Sequence, residues 1–454
     1  MTAAGALPYG EAVRAIGDRG RFGIRLGLGR IRALLHALGD PQLVTRGALV
    51  AGTNGKGSVL ALAGSVLRVA GYRVGETPKP HLVTYRERLQ IGGRLVDPET
   101  FARLAGEVLR VADRVSPRLG PATEFEILTA MIFAWFAERQ VDLALVEVGL
   151  GGRLDATHAW DGGVAAVTNV DLDHMDRLGP TITAIAREKA AIIERGDLAL
   201  TAATADALAV VRRRASRLNV PLTVVRPAPL VELDRDGIVV QLARLGPTRI
   251  GLRGRHQAEN AAVADALLDA LETAGIATAS ADQRRAGYAA ARWPGRLELL
   301  EVGGREILLD GAHNPAGAAT LATAIDDLRP FLAGGADRPP SPLTLVTASM
   351  ADKDVDGVVR ALARATALRT ARIICTRPDV SRALAPEELA AHWRGSLAGA
   401  APVVEPEPGA ALDRALAEGD GPIVVAGSLY LVGAVRARLV DDPMLRDPED
   451  GLGG

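Results

Sequence analysis

Short runs of apolar residues alternate with longer amphipathic stretches along most of the chain. Turn residues or charges bound each run, which is typical of buried strands separated by helices. In the first part of the chain these runs are Ala48–Ala51, Leu143–Val148, Val164–Thr168, Leu198–Ala202 and Leu222–Val225. Such alternation predicts an α/β fold, with a mostly parallel sheet covered by helices on both faces. Ligand sites in such sheets lie beyond the carboxyl ends of the strands.

The pattern changes after residue 220 and then starts again. Three closely spaced runs, Leu222–Val225, Leu230–Leu233 and Ile238–Leu242, indicate a small antiparallel addition. A second α/β series begins after Trp293–Arg296. Its predicted strands are Ile307–Asp310, Leu343–Thr347, Arg372–Cys375, Val403–Val404 and Ile423–Ala426.

Breaks in the chain suggest where its domains meet. Pro294-Gly295 is a natural break, and the strand–helix alternation restarts behind it. We therefore expect a first domain over residues 1–295, a smaller second domain over 296–440 and a frayed tail over 441–454. The Gly/Pro-rich stretch Leu332–Pro342 is expected to be a loop.

Composition and charge narrow the class of protein. The chain has 454 residues, about three times a typical ~150-residue domain, with 48% hydrophobic and 24% charged residues. Its formal net charge of −1 gives no reason to expect a nucleic-acid partner. No apolar run approaches the ~20 residues that span a bilayer, and Met1–Gly20 lacks an apolar signal core. The single cysteine, Cys375, cannot form an internal disulfide, so we expect a cytoplasmic protein without a membrane partner.

Lysine is rare in this sequence. Only four of the 53 basic residues are lysines, namely Lys56, Lys79, Lys189 and Lys353. Because arginine carries the positive charge elsewhere, these positions indicate a need for a compact ammonium or for an amine that can lose its proton.

The first predicted strand leads into a phosphate-loop pattern, Gly52–Ser58, and the helical pattern Val59–Ala70 follows. In a strand–turn–helix unit of this kind, backbone N–H groups and the helix N-terminus attract phosphate. Lys56 is expected to reach the terminal phosphates and Ser58 to hold Mg²⁺. The motif departs from the common loop because Gly57 separates Lys56 from Ser58. The alternative is a glycine turn without a ligand.

Polar side chains end the next two strands. Glu147 closes the apolar run 141–146, where a buried carboxylate is costly unless it is paired or metal-bound. His174 follows the strand after it and is a second candidate ligand. The alternatives are a half-exposed surface glutamate and a structural histidine. A helix predicted over Thr181–Glu194 carries Lys189 beside a glutamate, which is ordinarily a solvated arrangement, although the rarity of lysine argues for a role.

Seven motifs follow one another along the chain: Gly52–Ser58, Glu147–Thr157, Leu172–Lys189, Gly254–Ala261, Trp293–Arg296, Leu309–Pro315 and Gly427–Tyr430. Together they resemble folylpolyglutamate synthase and its bifunctional relative dihydrofolate synthase, of the Mur ligase superfamily, and the resemblance runs from about Phe22 to Arg438. Four of the five asparagines lie in or beside these motifs, at Asn54, Asn169, Asn260 and Asn314.

The resemblance implies a fold and a reaction. The fold is a P-loop-type, mostly parallel ATPase domain, the central domain of a Mur ligase, followed by a smaller Rossmann-like α/β domain. The reaction is an ATP-dependent amide ligation. The carboxylate of dihydropteroate or of a reduced folate attacks the γ-phosphate of MgATP, and the amine of L-glutamate then displaces phosphate from the acyl phosphate. The substrates are thus small molecules, and a monomer is expected.

The resemblance also assigns roles residue by residue. Contacts to ATP are implied for Asn54, Gly55, Lys56, Gly57, Ser58, Asn260, Arg296 and Asp310. Magnesium ligands are implied at Ser58, Glu147 and His174. Pterin contacts are implied for Thr123, Glu124, Phe125, Glu126, Leu154, Asp155 and Ala156.

The remaining implied roles concern the chemistry itself. Lys189 matches a lysine that is carbamylated in relatives, a modification that arginine cannot carry. His313 and Ser428 resemble residues near the glutamate and the acyl phosphate. The expected catalytic residues are Lys189, His174, Glu147 and His313.

Two positions depart from the family pattern. The family often has a Thr-Ser-Pro-His loop whose serine contributes to a magnesium site, whereas Lys79 stands at that serine here. Lys79 either directs its charge at the γ-phosphate or the pterin carboxylate, or points to solvent. His158 replaces the usual asparagine after Asp-Ala-Thr and is expected to be tolerated as a polar turn residue.

Two other functions remain open. A Mur ligase acting on a UDP-linked sugar is disfavoured, because the phosphate loop starts at Gly52 and too little chain precedes it for a UDP-binding domain of ~100 residues. A non-catalytic nucleotide-binding regulator would keep the loop but would not need His174 or Lys189. The choice between dihydropteroate and reduced folates is likewise open.

Overall fold

The computed structural model describes residues 7–23, 25–332 and 341–448. The chain divides into two compact units, and it enters the second unit twice. The first unit contains the chain up to Ala228, Glu259–Ala291 and the chain from Pro443 onward. The second unit contains Pro229–Ala258 and Arg292–Asp442.

An eight-stranded sheet forms the centre of the first unit. Its strands are β1 (Gly47–Ala51), β2 (Val74–Thr77), β3 (Gln90–Ile91), β4 (Arg94–Leu95), β5 (Leu143–Glu147), β6 (Gly163–Val167), β7 (Leu198–Thr201) and β8 (Leu222–Val224). Their spatial order is β4-β3-β2-β5-β1-β6-β7-β8, and all pairs from β2 to β8 are parallel. β3 and β4 add an antiparallel edge. β5 and β6 lie on the two sides of β1, so the strand order changes direction at β1. Ligands bind at the carboxyl end of the strands at such a point.

Ten helices accompany this sheet in the part of the chain described. They are α1 (Tyr9–Gly17), α2 (Gly29–Ala37), α3 (Lys56–Val69), α4 (Pro98–Leu119), α5 (Glu124–Arg139), α6 (Met175–Leu178), α7 (Ile182–Ala190), α8 (Ala205–Leu218), α9 (Gln257–Thr273) and α10 (Ala281–Ala290). Side-chain caps fix several starting points: Asp97 accepts from Thr100 N–H, and Thr181 accepts from Ala184 N–H. Every residue of β1 and β5 is buried, as expected of strands covered on both faces.

The second unit contains two sheets. The smaller is antiparallel, with the order β11-β10-β9, and consists of β9 (Leu230–Asp234), β10 (Gly237–Leu242) and β11 (Gly246–Ile250). The larger has the order β12-β13-β17-β14-β15-β16. Its strands are β12 (Glu298–Val302), β13 (Arg305–Asp310), β14 (Thr344–Thr347), β15 (Arg372–Cys375), β16 (Val403–Val404) and β17 (Ile423–Ala426), all paired in parallel except the pair β12–β13. The helices are α11 (Pro315–Leu328), α12 (Val355–Leu362), α13 (Pro386–Ser396), α14 (Pro408–Ala417) and α15 (Leu429–Leu439).

The predicted mostly parallel α/β architecture is confirmed, with three local corrections. The run at Leu222 does not join the antiparallel addition; β8 instead pairs in parallel with β7, and the third antiparallel strand is β11. The helix predicted from Val59 begins earlier, at Lys56. The helix predicted over Thr181–Glu194 ends at Ala190, because the chain turns there toward β7.

The segment before the C-terminus is ordered by a buried arginine of the first unit. The Arg86 guanidinium donates to Met444 O (2.8 Å) and Arg446 O (2.9 Å), and it pairs with Asp447 at 3.1 Å. The expectation of a frayed tail is therefore wrong for residues 441–448, whereas 449–454 lie outside the described residues. Most of the predicted loop at Leu332–Pro342, residues 333–340, also lies outside them. No helix in the described ranges has the length and apolar character needed to cross a membrane.

Candidate active site

The glycine-rich loop between β1 and α3 lies very close to its neighbours. Gly55 is the N-cap of α3 with φ of 83°, and a Cβ there would lie 2.3 Å from Asn260 Oδ1. Gly52 has φ of 154°, and a Cβ there would lie 1.8 Å from Thr168 Oγ1. Only glycine combines these conformations with such close approaches. The strand–turn–helix context expected for a phosphate loop is present.

The end of β6 fixes the course of this loop. Asn54 N–H donates to Asn169 Oδ1 (2.8 Å), and Thr53 N–H donates to Asn169 O (2.9 Å). Thr168 Oγ1 donates to Asn54 O at 2.7 Å. Asn169 was not among the predicted site residues, although the concentration of asparagine in the motifs was a usable signal.

Two lysine ammoniums converge on one carbonyl oxygen of the loop. Lys56 Nζ donates to Gly52 O (3.0 Å) and Thr53 O (3.1 Å), and Lys189 Nζ donates to the same Gly52 O at 2.8 Å. Lys189 lies on α7 and is 5% exposed. Burial, the larger cause, and the charge of Lys56 together lower the pKa of Lys189 to about 7, against the opposing charge of Asp173. A large share of this amine is therefore neutral near neutral pH.

Glu147 ends β5 and is the register partner of Val50, two residues before Gly52. Thr77, the last residue of β2, and Lys79, two residues later, hold it at three points. Glu147 N–H donates to Thr77 Oγ1 (3.2 Å), Lys79 N–H donates to Glu147 Oε2 (3.1 Å), and Lys79 Nζ donates to Glu147 O (2.6 Å). The glutamate is 4% exposed, so the alternative of a half-exposed surface residue is wrong.

Lys79 is directed into the protein. Its Nζ lies 4.6 Å from the centre of the Phe125 ring, in addition to its contact with Glu147. Burial lowers the pKa of Lys79 to about 8, while the charges of Asp155 and Glu147 oppose this shift. Of the two orientations left open by the sequence, the one toward solvent is wrong.

The segment 123–126 begins α5. Thr123 Oγ1 accepts from Glu126 N–H (3.3 Å) and Glu126 Oε2 accepts from Thr123 N–H (2.9 Å), which makes a capping box. Glu124 Oε1 accepts the Tyr85 hydroxyl hydrogen at 3.0 Å. The Thr-x-x-Glu spacing is visible in the sequence, so a structural role for Thr123 and Glu126 was predictable.

The turn after Glu147 brings two of the predicted pterin residues together. A Cβ on Gly149 would lie 2.9 Å from Phe125 Cζ and 3.1 Å from Asp155 Oδ2. Asp155 accepts from Leu150 N–H (2.8 Å) and caps the short 3₁₀ turn Ala156–Ala159. His158 lies in that turn, as expected, with Nε2 3.2 Å from Glu194 Oε1.

The other two predicted magnesium ligands differ in exposure. Ser58 lies in the first turn of α3 and is 6% exposed. His174 precedes α6 with φ of 49°, its side chain is 40% exposed, and its Nε2 lies 3.8 Å from Asp173 Oδ1. Within the described residues, no group of three or more His, Cys, Asp or Glu side chains could hold a metal ion. A metal at this edge would therefore depend on oxygen atoms from a ligand and water.

The predicted residues of the second unit lie at the carboxyl ends of β13 and β17, which are adjacent and parallel. Asp310 accepts from Leu297 N–H (3.0 Å) and Ala312 N–H (2.9 Å). Burial raises the pKa of Asp310, and the charge of Arg296 opposes this. Ser428 caps α15 by accepting from Leu431 N–H.

His313 has a defined tautomer. Its Nδ1 lies 2.8 Å from Gly311 O. A carbonyl oxygen only accepts, so Nδ1 carries the hydrogen in this contact, and Nε2 of the neutral ring is the acceptor.

Comparisons with known proteins agree with this geometry. Residues 50–268 match the Mur ligase middle domain, and residues 295–429 match the glutamate ligase domain of Mur ligases. The dihydrofolate synthase/folylpolyglutamate synthase of Bacillus subtilis is 32% identical over 444 residues, which cover 95% of this chain and 99% of that protein. The folylpolyglutamate synthase of Lacticaseibacillus casei is 34% identical over 444 residues, with 90% and 94% covered.

A solved structure is similar over nearly the whole chain. It is the folylpolyglutamate synthase of Mycobacterium tuberculosis complexed with ADP and AMPPCP, with a TM-score of 0.84 and 31% identity, covering 96% of this chain and 99% of that one. Matching domains, relatives of full length and a shared fold lead to one conclusion: the chain belongs to the folylpolyglutamate synthase/dihydrofolate synthase family of Mur ligases, which are ATP-dependent ligases.

Proposed function

We propose that the chain joins L-glutamate to the carboxylate of dihydropteroate or of a reduced folate, at the expense of ATP, with the site residues in the roles argued below. The substrate carboxylate attacks the γ-phosphorus and ADP leaves, which produces an acyl phosphate. The amine of glutamate then attacks the acyl carbon and phosphate leaves. The unit built on the eight-stranded sheet binds ATP and the pterin, and the unit built on the six-stranded sheet acts as the glutamate-ligase domain of a cytoplasmic monomer.

The observation that carries the proposal is the pair of ammoniums on Gly52 O. Lys56 and Lys189 lie within 3.0 Å of one oxygen, at the N-terminus of α3. The Lys56 ammonium, the protonated fraction of Lys189 and the positive N-terminus of α3 all favour an anion at this point. A triphosphate held by residues 54–58 supplies that anion. Asn260, which lies against Gly55, is a further ATP contact.

The residues at this edge fit magnesium. Ser58 offers a hydroxyl oxygen, Glu147 a carboxylate and His174 an imidazole nitrogen. Mg²⁺ usually keeps several waters and binds one or two carboxylates together with substrate phosphates, so a small set of protein ligands suffices. When bound, the ion neutralises phosphate charge. The protein contributes a carboxylate that Thr77 and Lys79 already hold in place.

Lys189 is the proposed site of carbamylation. Its neutral amine attacks CO₂, a nitrogen–carbon bond forms, and one proton is released, which leaves an anionic carbamate. The pKa of about 7 favours the neutral amine that this step needs. Carbamylation thus replaces the positive charge of Lys189, beside Lys56, with a negative charge.

The remaining roles belong to residues outside the phosphate loop. Phe125 and Asp155 share the turn at Gly149 and form part of the pterin site, together with Thr123, Glu124, Glu126, Leu154 and Ala156. In the second unit, Ser428 and His313 serve the glutamate and the acyl phosphate. With hydrogen on Nδ1, His313 can accept a proton from the attacking amine at Nε2.

Phosphate release tests the proposal. ATP and glutamate are supplied with dihydropteroate, with tetrahydrofolate or with neither pterin. Release should require a pterin and glutamate together, and Lys56→Met should abolish it, while the matched variant Lys353→Met should retain it. Phosphate release that does not depend on pterin or glutamate would support a nucleotide-binding regulator instead.

A further inference from the structure

The surroundings of Lys79 Nζ are those of a cation site. The nitrogen lies 2.6 Å from the main-chain oxygen of Glu147 and 4.6 Å from the centre of the Phe125 ring. Burial lowers the pKa of Lys79, and the charges of the Asp155 and Glu147 carboxylates oppose this by favouring the ammonium. A carbonyl oxygen, two carboxylates and an aromatic face are groups that attract cations.

We propose that the Lys79 ammonium is a built-in cation that occupies the space beside Glu147, so that the enzyme–nucleotide complex binds one divalent metal ion and not two. This inference rests on the proposed function, since it assumes that a nucleotide binds at Gly52–Ser58. A divalent ion next to a fixed ammonium is repelled, and a protonated amine has no lone pair with which to act as a ligand.

The backbone around Lys79 supports a fixed position for this charge. Lys79 N–H donates to Glu147 Oε2, and Thr77 Oγ1 accepts from Glu147 N–H. The lysine therefore contacts both the carboxylate and the main-chain carbonyl of one residue. The ammonium thus lies on the main-chain carbonyl of Glu147, while the Lys79 N–H holds one carboxylate oxygen of the same residue.

The presence of lysine, and not arginine, at position 79 agrees with the need for a compact cation. Only four of the 53 basic residues are lysines, and one of them is at this position. A guanidinium is larger and planar, with five donors in a fixed arrangement, and the enclosure by Glu147 and the Phe125 ring suits a small ammonium better. Lys79 is thus a positioning residue for Glu147 and, by its charge, a limit on metal binding.

Equilibrium dialysis of the full chain against Mn²⁺ and saturating AMPPCP tests this inference. Manganese and nucleotide are counted on both sides of the membrane, and the result is the number of bound Mn²⁺ ions per bound nucleotide. The wild-type chain should bind one. Lys79→Ser removes the ammonium, offers a hydroxyl ligand and should double the count to two. The matched variant Lys353→Ser should remain at one.

Each result decides a separate point. Two Mn²⁺ ions per nucleotide in the wild-type chain would overturn the inference, whether or not the variant folds. A count of one in a Lys79→Ser variant that binds AMPPCP and melts like the wild type would also overturn it. Absence of bound nucleotide in the wild-type chain would instead refute the proposed function, and the inference with it.

Discussion

At the scale of single residues, the site depends on which partners the fold supplies. Glu147 and Lys189 could be predicted as site residues from the sequence, because each is a charged group in an apolar or lysine-poor context. Asn169 and Thr77 were not, because their roles come from hydrogen bonds to residues on other strands. The sequence contains the types of residue, whereas the register of neighbouring strands decides their partners.

Lys189→Arg should abolish turnover and leave the fold intact. Arginine keeps a positive charge near Gly52 O but cannot form a carbamate. Lys189→Ala should regain part of its activity when short-chain carboxylic acids are added, because they supply the missing anionic oxygens. Phosphate release and thermal melting are the measurements, and full activity of the arginine variant would remove the carbamate from the mechanism.

Carbamate formation should rise with pH between 6 and 8. With a pKa of about 7, the neutral fraction of Lys189 increases from ~10% at pH 6 to ~90% at pH 8. ¹³C NMR of the chain under labelled CO₂ should show a carbamate signal that grows over this range and is absent in Lys189→Arg.

The Lys56 ammonium should shift the pH dependence of carbamate formation at Lys189. Lys56 lowers the pKa of Lys189, so Lys56→Ala removes one positive charge and should raise that pKa. The carbamate signal should then appear at higher pH than in the wild type. An unchanged profile would show that the two lysines do not interact as the geometry indicates.

At the scale of elements, burial decided which strands were predictable. β1, β5 and β17 are buried over their whole length, and each gives a continuous apolar run in the sequence. β11 and β12 were not predicted, because an edge strand needs no such run: β12 contains two glutamates, and β11 contains a proline and an arginine. β4 is also an edge strand, and β3 and β4 have only two residues each, too few to give a recognisable apolar run.

The sequence predicted a frayed tail where the structure has a segment, residues 443–448, that Arg86 holds by hydrogen bonds. Arg86→Ala should lower the free energy of unfolding by about 2 kcal/mol, because it removes the guanidinium donor of two carbonyl oxygens and of the Asp447 carboxylate, which then keeps only Thr84, in a partly buried place. Arg382→Ala is the matched control. Its ion pair with Asp352 is about half exposed, and its loss should cost less than ~1 kcal/mol. Urea unfolding distinguishes the two, and equal small effects would mean that residues 443–448 add little stability.

At the scale of the whole molecule, nucleotide binding should be visible as stability. A ligand that binds only the folded chain adds about 2.7 kcal/mol when its concentration is 100 times its Kd. AMPPCP with magnesium should therefore raise the melting temperature of the wild-type chain. Lys56→Ala should keep its fold, since it removes one of two repelling charges at Gly52 O, yet it should lose most of the AMPPCP-induced rise. Lys353→Ala should show the full rise. The comparison is made by differential scanning calorimetry at several AMPPCP concentrations, and an equal shift in all three chains would mean that the nucleotide binds somewhere other than Gly52–Ser58.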